Sequence, residues 1–134
     1  MSATQAYRHI AVIDIGKTNA KVVVLDASTG SEIAVFKTSN SVLKTEPYPH
    51  YDIERLWHFI IEALKDFAAV PGFDAISITT HGASAVLLDA RGDLALPVLD
   101  YEHIYPQAVQ EAYGQLRPVF AETFSPQLSG GLNV

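Results

Sequence analysis

Short apolar runs separated by polar turns fill the first third of the chain. The runs cover residues 10–15, 21–25 and 32–37, and the turns between them are residues 16–19 and 28–31. Runs of this length, rich in β-branched residues and bounded by glycine-bearing polar turns, are typical of β-strands joined as hairpins. The pattern therefore predicts an antiparallel meander of three strands.

An amphipathic helix is the next predicted element. It follows a polar loop over residues 38–51, begins near Asp52, which is a good N-cap residue, and ends at Pro71-Gly72. Apolar side chains at steps of three and four form one stripe that would face the sheet: Leu56, Phe59, Ile60, Ala63, Leu64 and Phe67. His58 lies off this stripe and has no second ligand at metal-binding spacing, so we expect a solvated or partly packed side chain.

A fourth strand is predicted at residues 75–80, and the helical crossover would place it parallel to the first strand. The apolar runs 85–89 and 94–99 surround a Gly-Asp pair and predict a second hairpin. A further helix is predicted over residues 106–116, with its proline in the first turn. From residue 117 onward the pattern becomes irregular.

The first turn has the composition of a phosphate site. Asp14 is an acid in an otherwise apolar strand, and because a buried carboxylate is costly unless it is compensated, a metal ion is the compensation we expect. After it, Gly16 lets backbone N–H groups approach an oxyanion, while Lys17, Thr18 and Asn19 add charge and short polar groups. We therefore predict that the turn binds phosphate and that Asp14 holds Mg²⁺, directly or through water. The alternative is an ordinary turn whose acid pairs with a lysine.

Gly16-Lys17-Thr18 also matches the end of a P-loop. That motif needs a glycine where Ala11 stands and a helix where the chain continues as Val22-Val23-Val24. Three β-branched residues in a row favour a strand, so the P-loop interpretation is excluded.

A second polar bend, Thr80-His81-Gly82-Ala83-Ser84, follows the fourth strand. Ligands of open α/β sheets gather outside the carboxyl ends of such strands. The His81 imidazole could hydrogen-bond a substrate hydroxyl, and Gly82 and Ala83 leave room beside the backbone. The alternative for His81 is a histidine that caps the strand end and bonds to backbone.

These two bends resemble a known family. Asp14-Ile15-Gly16-Lys17-Thr18, with Lys21 three residues beyond, is similar to the first phosphate motif of the sugar kinase, actin and hexokinase superfamily, usually Asp-x-Gly-Thr-(Thr/Ser). Lys17 replaces a small hydroxyl residue of that motif. Glucokinase-like repressor proteins and acetate kinases share the start, but His81-Gly82-Ala83-Ser84 and the hairpin after it favour the FGGY carbohydrate kinases.

The resemblance implies an α/β fold: an actin-like, ribonuclease H-like ATPase domain with antiparallel strands 1-2-3, a parallel fourth strand and flanking helices. Residues 1–134 would be the first portion of the N-terminal, sugar-binding domain, with the rest of it and the C-terminal nucleotide domain absent. The implied reaction is Mg²⁺-dependent phosphoryl transfer from ATP to a hydroxyl of a polyol or of a xylulose-, ribulose-, fuculose- or rhamnulose-type ketose. No catalytic residue is expected here, because the family's general base lies downstream, so the fragment should be inactive alone.

The resemblance also implies the site residues. Asp14 and residues 16–19 would bind ATP phosphate and metal, and residues 81–83 would contact the sugar. More loosely, Tyr101 would flank the sugar and Glu102 would bond a hydroxyl, although an exposed charged turn explains them equally well. The alternative function is a non-catalytic module that binds sugar or an anion.

The amino-acid composition limits the classes of function and site that remain possible. Nine Lys and Arg against fifteen Asp and Glu, without a basic cluster, give no support for nucleic-acid binding. The absence of cysteine excludes disulfides and thiolate metal sites. We expect no membrane association and a cytoplasmic protein, because the chain has neither a signal-like start nor an apolar run of ~20 residues. The sequence leaves a homodimer open.

Overall fold

A computed structural model describes residues 7–82 and 84–124. The chain divides into two compact units, and each is described by itself. The first unit contains the residues up to Ser41 together with Asp52–Gly82, and the second contains Val42–Tyr51 and the residues from position 83 onward. The strands are β1 (His9–Ile15), β2 (Asn19–Asp26), β3 (Glu32–Ser39), β4 (Val42–Leu43), β5 (His50–Tyr51) and β6 (Ala75–Thr80). The helices are α1 (Ile53–Ala69), α2 (Gln107–Leu116) and α3 (Phe120–Thr123).

The first unit is a mixed sheet of order β3-β2-β1-β6 with α1 packed on it. Strands β1, β2 and β3 pair antiparallel, and β6 pairs parallel to β1, with Ile15 opposite Thr80 at the carboxyl end. The predicted meander and the predicted parallel fourth strand are both confirmed. The carboxyl ends of β1 and β6 therefore lie at the same edge of the sheet.

Helix α1 begins where the sequence predicts. The Asp52 carboxylate accepts a hydrogen bond of 3.1 Å from the backbone N–H of Arg55, which satisfies one of the unpaired N–H groups of the first turn. The apolar stripe packs on the inner face of the sheet, burying Leu56, Ile60, Ala63 and Phe67 against Ile13, Ala20, Val22 and Val24. His58 is exposed, as expected. This core fixes the position of β1 and β2, whose turn carries the predicted phosphate site.

The second unit departs more from the predictions. Strands β4 and β5 pair within the predicted loop, and α3 lies where no regular structure was expected. The predicted second hairpin has its turn, in which the Asp89 carboxylate accepts from the N–H groups of Arg91 and Asp93 at 2.8 and 3.0 Å. Its arms pair through one antiparallel bridge, Leu88 to Leu94, and the N–H of Ala95 donates to the carbonyl of Leu87 at 2.9 Å. The predicted hairpin is therefore present, but its arms do not form extended strands.

Helix α2 spans the predicted range, but Pro106 stands at its N-cap and not in its first turn. The cap carries no side-chain hydrogen bond, and none of the residues of α2 is buried. None of the helices in residues 7–82 and 84–124 combines the length and apolar character needed to cross a membrane.

Candidate functional site

The two polar bends are joined through one carbonyl group. The carbonyl oxygen of Ile15, the last residue of β1, accepts a hydrogen bond from the backbone N–H of His81 at 3.2 Å and another from Thr80 Oγ1 at 3.1 Å. Both donors follow from the parallel pairing, which places the end of β6 beside the end of β1. The turn after Asp14 and the bend at His81 therefore lie side by side within the first unit.

Asp14 is neither buried nor isolated. Its side chain is 38% exposed, and Lys21, its partner across the β1–β2 pair, places Nζ 3.2 Å from the carboxylate. The expectation of a buried carboxylate is therefore wrong, and the lysine pair that the sequence offered as the alternative is present. An exposed pair of this kind contributes roughly 0–1 kcal/mol, so it leaves the carboxylate available to an additional ligand.

The turn between β1 and β2, residues 16–19, is called the tip here. It is closed by the N–H of Gly16, which donates to the carbonyl of Asn19 at 2.9 Å. A Cβ atom on Gly16 would lie 3.0 Å from that carbonyl oxygen, closer than nine in ten real Cβ contacts. A larger residue would therefore require the tip to shift, and glycine avoids this shift. Lys17 is half-buried at the tip, whereas Thr18 and Asn19 are exposed.

Asn40 lies in the predicted polar loop and forms two hydrogen bonds to the tip. Its Nδ2 donates to the carbonyl of Gly16 at 2.9 Å, and its backbone N–H donates to the carbonyl of Thr18 at 2.9 Å. Asn40 is only 9% exposed. A single polar residue just after a strand gives no sequence signal for such a contact, because the contact depends on the pairing of β2 with β3.

A magnesium ion beside the tip would be held mainly by non-protein ligands. No group of three or more His, Cys, Asp or Glu side chains suited to a metal occurs within residues 7–82 and 84–124. Asp14 would then be the protein carboxylate, and water and phosphate oxygens would complete the coordination. Mg²⁺ accepts this arrangement because it keeps several waters and commonly binds through one or two carboxylates plus substrate phosphates.

The bend after β6 is fixed by a backbone hydrogen bond at His81 and exposed to solvent at Gly82. The backbone of His81 is fixed by its bond to Ile15, and its side chain is partly buried. Gly82 is exposed, and a Cβ atom built on it would meet nothing within 4 Å. Ala83, the third predicted sugar contact, lies outside the described residues. The backbone at Gly82 is therefore open to solvent.

Tyr101 and Glu102 belong to the second unit. They follow Asp100 in a turn in which its carboxylate accepts from the N–H of Glu102 at 3.2 Å. Glu102 is exposed, as in the charged turn that the sequence offered as the alternative, whereas Tyr101 lines an open cavity of about 370 Å³. Most of the cavity wall is apolar or aromatic and includes Tyr48, Leu96 and Tyr105.

Tyr51 lies in the same unit and is almost fully buried. Burial, together with the negative charge of Asp100, raises the pKa of its hydroxyl far above the ordinary value. Tyr51 therefore stays protonated throughout the physiological range and acts as a neutral polar group.

No protein-family model matches the chain, and no curated protein matches it. Solved structures do match. A carbohydrate kinase from Novosphingobium aromaticivorans is 35% identical and aligns with a TM-score of 0.79, over 92% of this chain and 26% of that one. A gluconate kinase from Lactobacillus acidophilus is 18% identical with a TM-score of 0.67, over 83% of this chain and 23% of that one. A xylulose kinase from Rhodospirillum rubrum is 22% identical with a TM-score of 0.64, over 87% of this chain and 25% of that one.

The two matches of lower identity show the fold alone, whereas the first also shows sequence similarity across most of the chain. The chain spans about a quarter of the length of these structures. Its mixed sheet is that of an actin-like ATPase domain, of which it holds a part. The resemblance to the carbohydrate kinases of the FGGY family that the sequence indicates is confirmed.

Proposed function

We propose that this chain is the first part of the sugar-binding domain of a carbohydrate kinase, which transfers the γ-phosphoryl group of ATP to a sugar hydroxyl. The observation that carries the proposal is the pair of hydrogen bonds that joins the two bends at Ile15. Phosphoryl transfer depends on positioning and charge neutralisation more than on covalent chemistry. Two polar bends held side by side on rigid strands support such positioning.

Each bend has a proposed role. The tip would bind phosphate through backbone N–H groups, with Lys17 adding positive charge, and Asp14 would hold the magnesium ion. Magnesium supplies neutralisation of the charge on the phosphate oxygens when it is bound. His81 would hydrogen-bond a hydroxyl of the acceptor and orient it. The contacts that the resemblance implies for Gly82, Ala83, Tyr101 and Glu102 remain part of the proposal.

The general base that accepts the proton of the attacking hydroxyl would lie elsewhere in the complete protein. The match to about a quarter of the length of the kinases supports this placement. We therefore expect the 134-residue chain to bind ligands without turning them over. The acceptor that the resemblance implies is a polyol or a ketose of the xylulose, ribulose, fuculose or rhamnulose type, and the proposed location is the cytoplasm.

A non-catalytic module that binds sugar or an anion is the second candidate. The ion pair between Asp14 and Lys21 favours it, because a lysine that neutralises the carboxylate competes with a metal for the same oxygens. Both candidates allow this chain to bind a ligand, and the activity of the complete protein distinguishes them.

The test therefore has two stages. In the first, the 134-residue chain is titrated calorimetrically with MgATP and with a panel of pentuloses, hexuloses and polyols. In the second, the complete protein that carries this segment is assayed for ADP release with each sugar that binds. ADP release that depends on one sugar supports the kinase. Sugar binding without ADP release supports the non-catalytic module, and binding of neither ligand at either stage overturns both.

A further inference from the structure

Asn40 is unusual among the buried residues of the first unit. Among the described residues of that unit, the other buried residues are apolar, and Asn40, at 9% exposed, is the polar exception. Burying an amide is unfavourable unless hydrogen bonds replace those that water supplied. An apolar side chain would fill the same space at a lower cost in free energy. The amide at position 40 therefore requires another explanation.

The amide replaces a standard turn contact. In an ordinary β-turn the first carbonyl accepts from the backbone N–H three residues later. In the tip, the carbonyl of Gly16 accepts from Asn40 Nδ2 at 2.9 Å, and the carbonyl of Thr18 accepts from the Asn40 backbone N–H at 2.9 Å. One residue therefore holds two of the carbonyl groups of the tip.

A hydrogen bond that fixes a carbonyl group also fixes the direction of the N–H group in the same peptide unit, which belongs to the next residue. The peptide unit is planar, and in the trans form its C=O and N–H point in opposite directions. The bond to Gly16 therefore turns the N–H of Lys17 away from Asn40, and the bond to Thr18 does the same for the N–H of Asn19. These are N–H groups of the tip that is proposed to bind phosphate.

The amide is also incompletely satisfied. Asn40 Oδ1 is buried and receives no hydrogen bond from the described residues. A buried acceptor without a partner lowers stability, because it has lost its water without replacement. The free energy lost at Oδ1 is consistent with a function for the Nδ2 bond.

We propose that Asn40 is a positioning residue of the phosphate-binding tip: by fixing the carbonyl of Gly16 it orients the N–H of Lys17 toward a bound phosphate. This inference rests on the proposed function of the tip. Asn40 itself does not contact the phosphate. Its effect passes through the backbone and should therefore appear in anion affinity more than in folding.

The test compares Asn40→Ala with wild type by titrating the ¹⁵N-labelled 134-residue chain with MgATP and following the amide signals of the tip. In Asn40→Ala we expect binding about tenfold weaker, the change that one lost hydrogen bond produces. We also expect the Lys17 amide signal to move before any ligand is added. Asn40→Asp keeps nearly the same volume but loses the Nδ2 donor, and it should weaken binding to at least the same extent.

Asp74→Ala is the matched control, because it removes the hydrogen bonds that the Asp74 carboxylate accepts from the N–H groups of Arg8 and His9, at the opposite end of β1 from the tip. It should lower the free energy of unfolding and leave MgATP binding unchanged. If the Asn40 variants bind as wild type does, or if Asp74→Ala weakens binding as much as they do, the positioning role is overturned. If wild type itself shows no shift at residues 16–19, the phosphate site and the proposal that rests on it both fail.

Discussion

The backbone N–H of His81 donates to the carbonyl of Ile15 across the parallel pair of β6 and β1. The side chain of Thr80 donates to the same oxygen, although Thr80 and Ile15 are 65 positions apart in the sequence. The two bonds therefore join two distant parts of the chain. Displacement of either strand end would move both proposed ligand-binding bends. The relative position of the proposed phosphate and sugar contacts therefore depends on how these ends are paired.

The Thr80 hydroxyl is predicted to stabilise the pairing between the ends of β1 and β6. In Thr80→Val the shape is nearly kept, but the bond from Oγ1 to Ile15 is lost, so we expect a loss of about 1 kcal/mol in the free energy of unfolding. Urea denaturation of the chain measures it. Thr79→Val is the control, because Thr79 is also exposed and stands opposite Asp14, whereas Thr80 stands opposite Ile15. An equal loss in both variants would contradict the assignment.

Gly16 and Gly82 are predicted to respond differently to the same substitution. In Gly16→Ala the new methyl group would lie 3.0 Å from the Asn19 carbonyl, and a displacement of this kind typically costs about 1–3 kcal/mol. In Gly82→Ala the methyl group meets nothing within 4 Å, so the free energy of unfolding should change little. Thermal unfolding of the two variants tests the prediction, and equal destabilisation would show that the tip can open to accommodate the methyl group.

The elements that the sequence predicts well are those whose pattern is local. Helix α1 begins at Asp52 and buries the expected stripe because capping and helical periodicity are both encoded within a few neighbouring residues. Strand β6 has the predicted bounds and its parallel partner, because a helical crossover leaves few alternatives.

The features that the sequence does not predict depend on distant contacts. Strands β4 and β5 have two residues each, and His50 also bridges to Leu99. Their pairing therefore depends on contacts with other parts of the second unit. Asn40 meets Gly16 only because β3 is paired with β2. The sequence does not predict the exposure of Asp14 for a related reason: an apolar strand can end at the edge of its core, where side chains are no longer covered.

Asp14 is predicted to matter for activity and little for folding. Its pair with Lys21 is exposed on both sides, so Asp14→Ala should lower the free energy of unfolding by less than about 1 kcal/mol. In the complete protein the same variant should lower kcat on the order of a hundredfold or more, because charge on the phosphate would lose its stabilisation. Lys21→Ala is the comparison, and it should leave more activity than Asp14→Ala. Unchanged turnover in Asp14→Ala would remove the metal role.

His81 is predicted to contribute to binding of the sugar and not of ATP. In the complete protein, His81→Ala should raise KM for the sugar by about tenfold or more, the effect of one lost hydrogen bond to a hydroxyl, and leave KM for ATP nearly unchanged. His58→Ala is the control, because His58 is an exposed histidine of the same unit. An effect of His81→Ala confined to ATP would contradict the assignment.

Asp26 is predicted to contribute to the acid sensitivity of the first unit. The Ser28 hydroxyl, followed by the backbone N–H groups of Ser28 and Thr29, lowers the pKa of its carboxyl to about 2 from the ordinary value of 3.8. Because the folded-state pKa lies below the unfolded one, its stabilising contribution is present above pH 3.8 and is lost as the pH falls toward 2. Urea titrations at a series of pH values should show this loss in wild type. It should be smaller in Asp26→Asn, which cannot titrate, and in Ser28→Ala, which removes the largest cause of the shift. If both variants lose stability over that interval as steeply as wild type, other carboxylates determine the acid response and the turn at Asp26 does not contribute to it.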